Sequence, residues 1–372
     1  MNMRPETEAE LAELIAGRDA PLWIRGGGTA GIVPQGTDVI ETSGLNGISL
    51  YEPGALTLVV KAGTALGEIE ATLAAEGQRL AFEPADLRAV LGTDGAPTIG
   101  GVVAMNVSGP RRIQAGACRD FLLGVRYVDG LGTAVKNGGR VMKNVTGYDL
   151  VKLMAGAHGT LGVMTEVSMK VLPLPEAQGC VLIDGLSPDD AVAAMSAALG
   201  SPYDVTGAAH LTEGMDGTPV TMVRVEGFGA QVDYRTGQLK EMLGRFGDVR
   251  VETNTDRVTV GWGYVRDLTG FVGAKGDLWR ISVKPSDGPE VLRAINATKA
   301  QMDWGGGLIW AVVPEGSDVR SQLGVAGHAT LVRGVGQARF HPETPVNARL
   351  AEGLRAKFDP KGIFNPGLMG AN

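Results

Sequence analysis

Thiols and imidazoles are scarce in this chain, with 2 cysteines and 4 histidines among 372 residues. An iron–sulfur cluster needs about four thiolates, so Cys118 and Cys180 cannot hold one. A single distant pair with no C-x-x-C also gives no disulfide framework, and both read as free, inert thiols of a reducing compartment. The four histidines are His158, His210, His328 and His341, and no metal centre is expected. Positive charge is in deficit too. Lys and Arg number 34 against 41 Asp and Glu, a net charge of −7 that argues against a nucleic-acid surface. No apolar run approaches the roughly 18 residues of a membrane span. The N-terminus, with Glu6, Glu8, Glu10 and Glu13, reads as a short acidic amphipathic helix burying Leu11, Leu14 and Ile15, not as a basic-then-apolar leader. A cytoplasmic protein is expected, with membrane association only through partners.

Glycine, by contrast, is abundant: 56 residues, about twice average usage, with no collagen period. The excess belongs to tight turns and to loops that approach a ligand closely. One such loop is Arg25-Gly26-Gly27-Gly28-Thr29, which follows the apolar run Leu22–Ile24. Its glycines allow positive φ and let backbone N–H groups converge on an anion. It lacks a G-x-G-x-x-G that opens a helix and a following Lys-Ser/Thr, so the dinucleotide Rossmann and Walker A patterns both fail. Arg25 either screens the anion or bonds a surface carboxylate. Farther on stand a strand at Leu56–Lys61, a helix with Leu66, Ile69 and Leu73 on one face, Glu83-Pro84, and Thr98-Ile99-Gly100-Gly101 running on to Asn106 and Gly109.

This order resembles the FAD-binding domain of the vanillyl-alcohol oxidase/p-cresol methylhydroxylase (PCMH) superfamily. Two further stretches carry the likeness: Gly159-Thr160-Leu161-Gly162-Val163-Met164-Thr165-Glu166 and Phe358-Asp359-Pro360-Lys361-Gly362-Ile363-Phe364-Asn365-Pro366-Gly367. Within the superfamily the chain is similar to the smaller FAD-binding subunits of bacterial glycolate oxidases. The residues that carry this are Gly109-Pro110-Arg111-Arg112, Val141–Leu150, Leu278–Ser282, Asp303-Trp304-Gly305-Gly306 and Gly327-His328-Ala329-Thr330. The resemblance implies an α+β fold, with a PCMH-type FAD-binding domain of two α/β subdomains and an antiparallel-sheet cap domain.

It also implies that Gly26, Gly27, Gly28 and Thr29 hold the FAD diphosphate. Thr98, Gly100, Gly101, Asn106 and Gly109 would form the second loop against the cofactor, with Pro84 also touching it, Gly162 and Val163 at the adenine and Asn365 in the returning tail. Lys143, Asn144 and Tyr148 match a motif of the subunit family and either touch the cofactor or pin a turn. Many oxidases of the superfamily attach FAD through a histidine near the first loop. Thr29-Ala30-Gly31 has none, so non-covalent FAD is expected.

The Pro-punctuated Leu172–Pro175 marks a boundary. Residues 1–175 are expected to form the FAD-binding domain and 176–335 the cap, with 336–372 returning to the first domain. In the cap, Ser187-Pro188-Asp189-Asp190 reads as a helix start and Gly200 as its stop.

Oxidising a 2-hydroxy acid needs a cation for its carboxylate and a base for its hydroxyl proton. Arg280, within the apolar Leu278-Trp279-Arg280-Ile281, suits the first role, since a guanidinium matches a carboxylate bidentately. A structural ion pair is the alternative. His328, flanked by small residues, suits the second, against a merely hydrogen-bonded imidazole. The resemblance thus implies a redox subunit that oxidises glycolate or D-lactate and passes electrons to an iron–sulfur partner, beside a larger FAD-binding subunit. Its alternative is a catalytically silent FAD-binding scaffold.

Overall fold

The computed structural model describes residues 1–32, 38–141 and 147–370. Its N-terminal half holds three sheets among the described residues. Strands β1 (Asn2–Met3), β2 (Trp23–Arg25) and β3 (Val39–Glu41) pair in parallel in the order β1-β3-β2. Helix α1 (Glu8–Ala16) packs here through Leu11 and Ile15, started by Thr7, whose hydroxyl accepts the Glu10 N–H. Strands β4 (Ile48–Glu52), β5 (Thr57–Lys61), β7 (Leu122–Val128), β8 (Ala134–Gly138) and β9 (Val163–Lys170) form an antiparallel sheet in the order β4-β5-β9-β7-β8. The two-residue strands β6 (Gln78–Arg79) and β10 (Leu172–Pro173) pair with each other. Helix α2 (Leu66–Ala75) buries Leu66, Ile69 and Leu73, the face its sequence spacing predicts. Four short helices complete this half: α3 (Arg88–Leu91), α4 (Ile99–Ala104), α5 (Arg112–Ala115) and α6 (Leu150–Met154).

The second half is one eight-stranded antiparallel sheet. It comprises β11 (Ala177–Asp184), β12 (Val205–Leu211), β13 (Val220–Gly227), β14 (Val249–Glu252), β15 (Asp277–Val283), β16 (Lys299–Asp303), β17 (Leu308–Val313) and β18 (Gly327–Arg333). They lie in the order β14-β11-β13-β12-β16-β17-β15-β18. Side chains two apart on a strand share a face. One face, with Val223, Trp279, Ile281 and Leu331, forms the larger core with α7 (Pro188–Leu199), α8 (Gly229–Leu243) and α10 (Gly288–Ala294). The opposite face turns toward α9 (Thr255–Arg266) and the N-terminal half. Helix α7 starts where its sequence says: the Ser187 hydroxyl accepts the Asp190 N–H, Pro188 needs no donor, and two aspartates sit in the positive first turn. Helices α11 (Val319–Gln322) and α12 (Pro345–Phe358) follow.

After α12 the chain returns to the first half. Leu22 donates to Ile363 O at 2.7 Å and Asn365 donates back to Leu22 O at 2.9 Å, so the tail extends the β2 edge. Lys361 Nζ reaches the carbonyls of Ala16 at 3.0 Å and Arg18 at 2.8 Å, a cation at the electronegative end of α1.

Candidate functional site

Where β2 ends, the chain leaves the small sheet and Gly26–Ala30 forms one wall of a long cleft. Helix α4 forms a second wall, and His158, Gly159, Gly162 and Asn365 a third. About 1210 Å³ of empty space lies between them. Among the described residues, no protein acceptor meets the backbone N–H groups of Gly27, Gly28, Thr29 and Ala30. Four successive backbone donors left without a protein acceptor on a cleft wall suit a diphosphate.

The second glycine stretch works differently. It is a short helix rather than the loop its sequence suggests, capped by Thr98, and its donors are spent within the protein. Gly100 N bonds Ala62 O at 2.7 Å, and Gly101 N bonds the Thr98 hydroxyl at 3.3 Å. A Cβ on Gly100 would stand 2.7 Å from Ala62 O, and one on Gly27 would stand 1.7 Å from Ala96 O. Both glycines are therefore demanded by protein packing as well as by any ligand. Thr98, Gly100 and Gly101 still line the cleft.

Asn365 is the cleft's tie. Its Oδ1 accepts the Ile24 N–H at 2.8 Å and its Nδ2 donates to His158 O at 2.8 Å, joining two walls. His158 also lines the cleft, with its Nδ1 buried and without a partner. Burial, with the nearby Arg339 charge, pushes its imidazole down to about 4, so it is neutral near pH 7.

Other sequence expectations land elsewhere. Arg25 lines the cleft but is ion-paired with Glu41, the carboxylate option. The Asn106 side chain is committed to the Arg119 N–H at 3.0 Å, and Gly109 is pressed against Glu83 O, where a Cβ would sit at 2.2 Å. Neither lines the cleft, nor does Pro84, which is buried beside the cleft residues Ala85 and Asp86. Val163 is buried in the core behind Gly162. Tyr148 is 86% exposed and away from the cleft, its carbonyl taking an Asn137 donor, so it pins a turn instead. Lys143 and Asn144 lie outside the described residues. Both thiols are buried, and burial pushes Cys180 up to about 11 and Cys118 higher still.

The two catalytic candidates do come together. Arg280 pairs across the sheet with Thr330, and Ser282 with His328, so all four share the face turned toward the first half. The Arg280 guanidinium lies 5.2 Å from the centroid of the Trp304 indole and has no ion-pair or hydrogen-bond partner among the described residues. Burial and the neighbouring Arg112 charge lower it to about 10. Burial, Arg280, His341 and Arg112 all lower His328, leaving a neutral ring able to accept a proton. Trp304 Nε1 donates to Gly109 O at 3.1 Å, placing this cluster at the end of the second glycine stretch.

A buried ionic network joins the two halves alongside. Arg224 donates to both Glu83 oxygens at 3.0 Å, and Arg111 grips Glu226 at 2.7 and 2.9 Å. Arg79 adds a third cation to Glu226 at 2.9 Å. The alternation Val223-Arg224-Val225-Glu226 in an otherwise apolar strand was the available signal for it. Arg112 and Trp304 also went unassigned, although both stood in segments that carried the family resemblance.

The buried Asp303 carboxylate accepts the Trp304 N–H at 2.7 Å and no other hydrogen bond among the described residues. Burial first, then Glu83, raises it to about 7. A carboxyl raised in the fold costs stability as pH climbs from about 4 through 7. Asp303→Asn is therefore expected to raise Tm at pH 8 by roughly 3 °C or more, and to leave it unchanged at pH 4. Equal wild-type and variant melting at both pH values would contradict this.

Residues 2–138 match the family model of a FAD binding domain. The chain is 34% identical to the glycolate oxidase subunit GlcE of Escherichia coli K12, over 94% of this chain and 92% of that one. It is 31% identical to the glycolate oxidase subunit GlcD of Bacillus subtilis, over 44% of this chain and 34% of that one. Among solved structures, an alkyldihydroxyacetonephosphate synthase superposes with TM-score 0.71 at 16% identity, over 98% of this chain and 76% of that one, a likeness of fold. No helix among the described residues is long and apolar enough to cross a membrane. On full-length identity as well as on the cleft its glycines build, the chain belongs to the family of the glycolate oxidase subunit GlcE, in the PCMH-type FAD-binding superfamily.

Proposed function

We propose that this chain is a FAD-binding redox subunit of a glycolate oxidase-type complex that oxidises glycolate or D-lactate to the 2-oxo acid. Its partners in this reading are a larger FAD-binding subunit and an iron–sulfur subunit that receives the electrons. The observation that carries the catalytic assignment is the Arg280 guanidinium, half-buried, without a counter-charge among the described residues, and sharing with His328, whose pKa is held below its ordinary value, the face turned to the cofactor half. Arg280 binds and orients the substrate carboxylate, and an imidazole nitrogen of His328 takes the hydroxyl proton. The N–H groups of Gly27–Ala30 hold the diphosphate, while Asn365 keeps the cleft walls in register. FAD, when bound, accepts the two electrons and the hydrogen that leave the α-carbon. Non-covalent attachment is supported by the two buried thiols, neither of which lines the cleft.

The test is the visible spectrum of the purified chain before and after anaerobic glycolate. Prompt bleaching supports the reading. A yellow chain that stays yellow moves the oxidation to the larger subunit and leaves this one a FAD-binding scaffold. The cradle has its own test. Thr29→Glu sets a carboxylate against the diphosphate and is expected to lower flavin content at least about tenfold, since a neutral hydroxyl is replaced by a like charge. Full flavin loading in that variant would displace the diphosphate from Gly27–Ala30.

A further inference from the structure

Arg112 and Arg280 come from different halves of the molecule, Arg112 opening α5 just after Gly109 and Arg280 on β15. Yet their guanidinium carbons lie 4.6 and 5.2 Å from the centroid of one indole, that of Trp304. Arg111, Arg224 and Arg79 nearby are all paired with carboxylates. Arg112 and Arg280 are not, and among the described residues they have no hydrogen-bond acceptor. Both are partly buried, and an indole face offsets a cation by only about 0.5–2 kcal/mol while doing nothing for the repulsion between two like charges. Two guanidiniums held together in this way lack an anion.

Their platform is fixed. Trp304 has φ +54, an uncommon conformation for a bulky residue, and both its nitrogens are tied, N to Asp303 Oδ1 and Nε1 to Gly109 O.

We propose that Arg112 is a second substrate-binding guanidinium, and that Arg112 and Arg280 hold one carboxylate anion between the two halves of the molecule. This rests on the reading that the face bearing Arg280 and His328 takes a 2-hydroxy acid. Arg112 brings to the site a charge fixed to the second glycine stretch, so an anion bound here bridges the cofactor-binding half and the cap sheet.

Oxalate is the probe, titrated into the FAD-loaded chain and followed by the shift of the flavin band and by calorimetry, with flavin content measured in parallel. Arg112→Met is expected to weaken oxalate at least about tenfold with flavin content unchanged, the usual scale for loss of one charged contact. Arg112→Gln, which keeps hydrogen-bonding capacity without charge, should weaken it likewise and serves if the methionine variant fails to fold. The exposed neighbour Arg119→Met should bind as wild type, which separates the site from general surface charge. Wild-type oxalate affinity in both Arg112 variants, with affinity lost in Arg280→Met, overturns the role of Arg112 and leaves the substrate reading standing. Loss of flavin with oxalate binding retained overturns it too, assigning Arg112 to the cofactor. A wild-type chain that binds no oxalate removes the substrate reading itself, and this inference with it.

Discussion

Arg280→Met is expected to lower glycolate turnover of the assembled complex by about 100-fold or more, measured as kcat/KM, while FAD stays bound. Truncating one partner of a desolvated charge pair costs about 2–5 kcal/mol, and each 1.36 kcal/mol is about tenfold. The effect should be large because no other contact would compensate. Apart from the Trp304 indole, Arg280 has no carboxylate or hydrogen-bond partner among the described residues that would hold the guanidinium in the absence of substrate. Arg280→Lys should recover only part of the loss, since an ammonium keeps the charge without the planar fork. A wild-type rate in the methionine variant would exclude Arg280 from the substrate site.

The largest effect on stability is expected at Arg224, 1% exposed and bonded to Glu83. Arg224→Met leaves Glu83 without its main counter-charge and Glu226 without one of three, in a place water does not reach. Breaking a buried pair in this way costs about 3–5 kcal/mol, whereas Arg250→Met, in an exposed pair with Asp184, should cost no more than about 1 kcal/mol. Denaturant titration of the two variants reads the difference directly, and equal midpoints would refute it. The pH dependence has a definite sign. Burial alone would raise Glu83 and Glu226, but Arg224 and Arg111 outweigh it and hold both below their ordinary value of 4.5. Their contribution is thus complete above that value and is lost as pH falls below it. In Arg224→Met this acid sensitivity should begin at higher pH.

Much of this fold could be read locally. Ser187, Pro188 and Gly200 bound α7 because a cap, a missing donor and a helix stop are chemical properties of single residues. The spacing of Leu66, Ile69 and Leu73 gave the buried face of α2 for a similar reason. Helix α4 did not show itself, because Gly100 and Gly101 are poor helix formers and the turn is held by the Thr98 cap, close contact with Ala62 and burial of Ile99, Val102 and Val103. Within the candidate site, the first glycine loop was legible as an anion cradle, since backbone donors need no distant partner. Asn106, Tyr148 and Arg25 were not, because whether a polar side chain meets a ligand depends on which protein groups reach it first. Arg119 N claims Asn106, Glu41 claims Arg25, and Tyr148 is left in solvent. Arg112 and Trp304 converge only once the eight-stranded sheet is laid against the first half, and no pattern in sequence encodes that meeting.

Asn365 sets an order of events during synthesis. The N-terminal glycine loop emerges from the ribosome early, but the amide that ties Ile24 to His158 lies 341 residues beyond Ile24. Until the last turn of the tail has docked on β2, one wall of the cleft is unfastened, and a contact so distant in sequence is slow to close. Cofactor capture is therefore expected late in maturation, once the tail has docked. A nascent chain stalled within the cap should be recovered without flavin, however well its first half has folded.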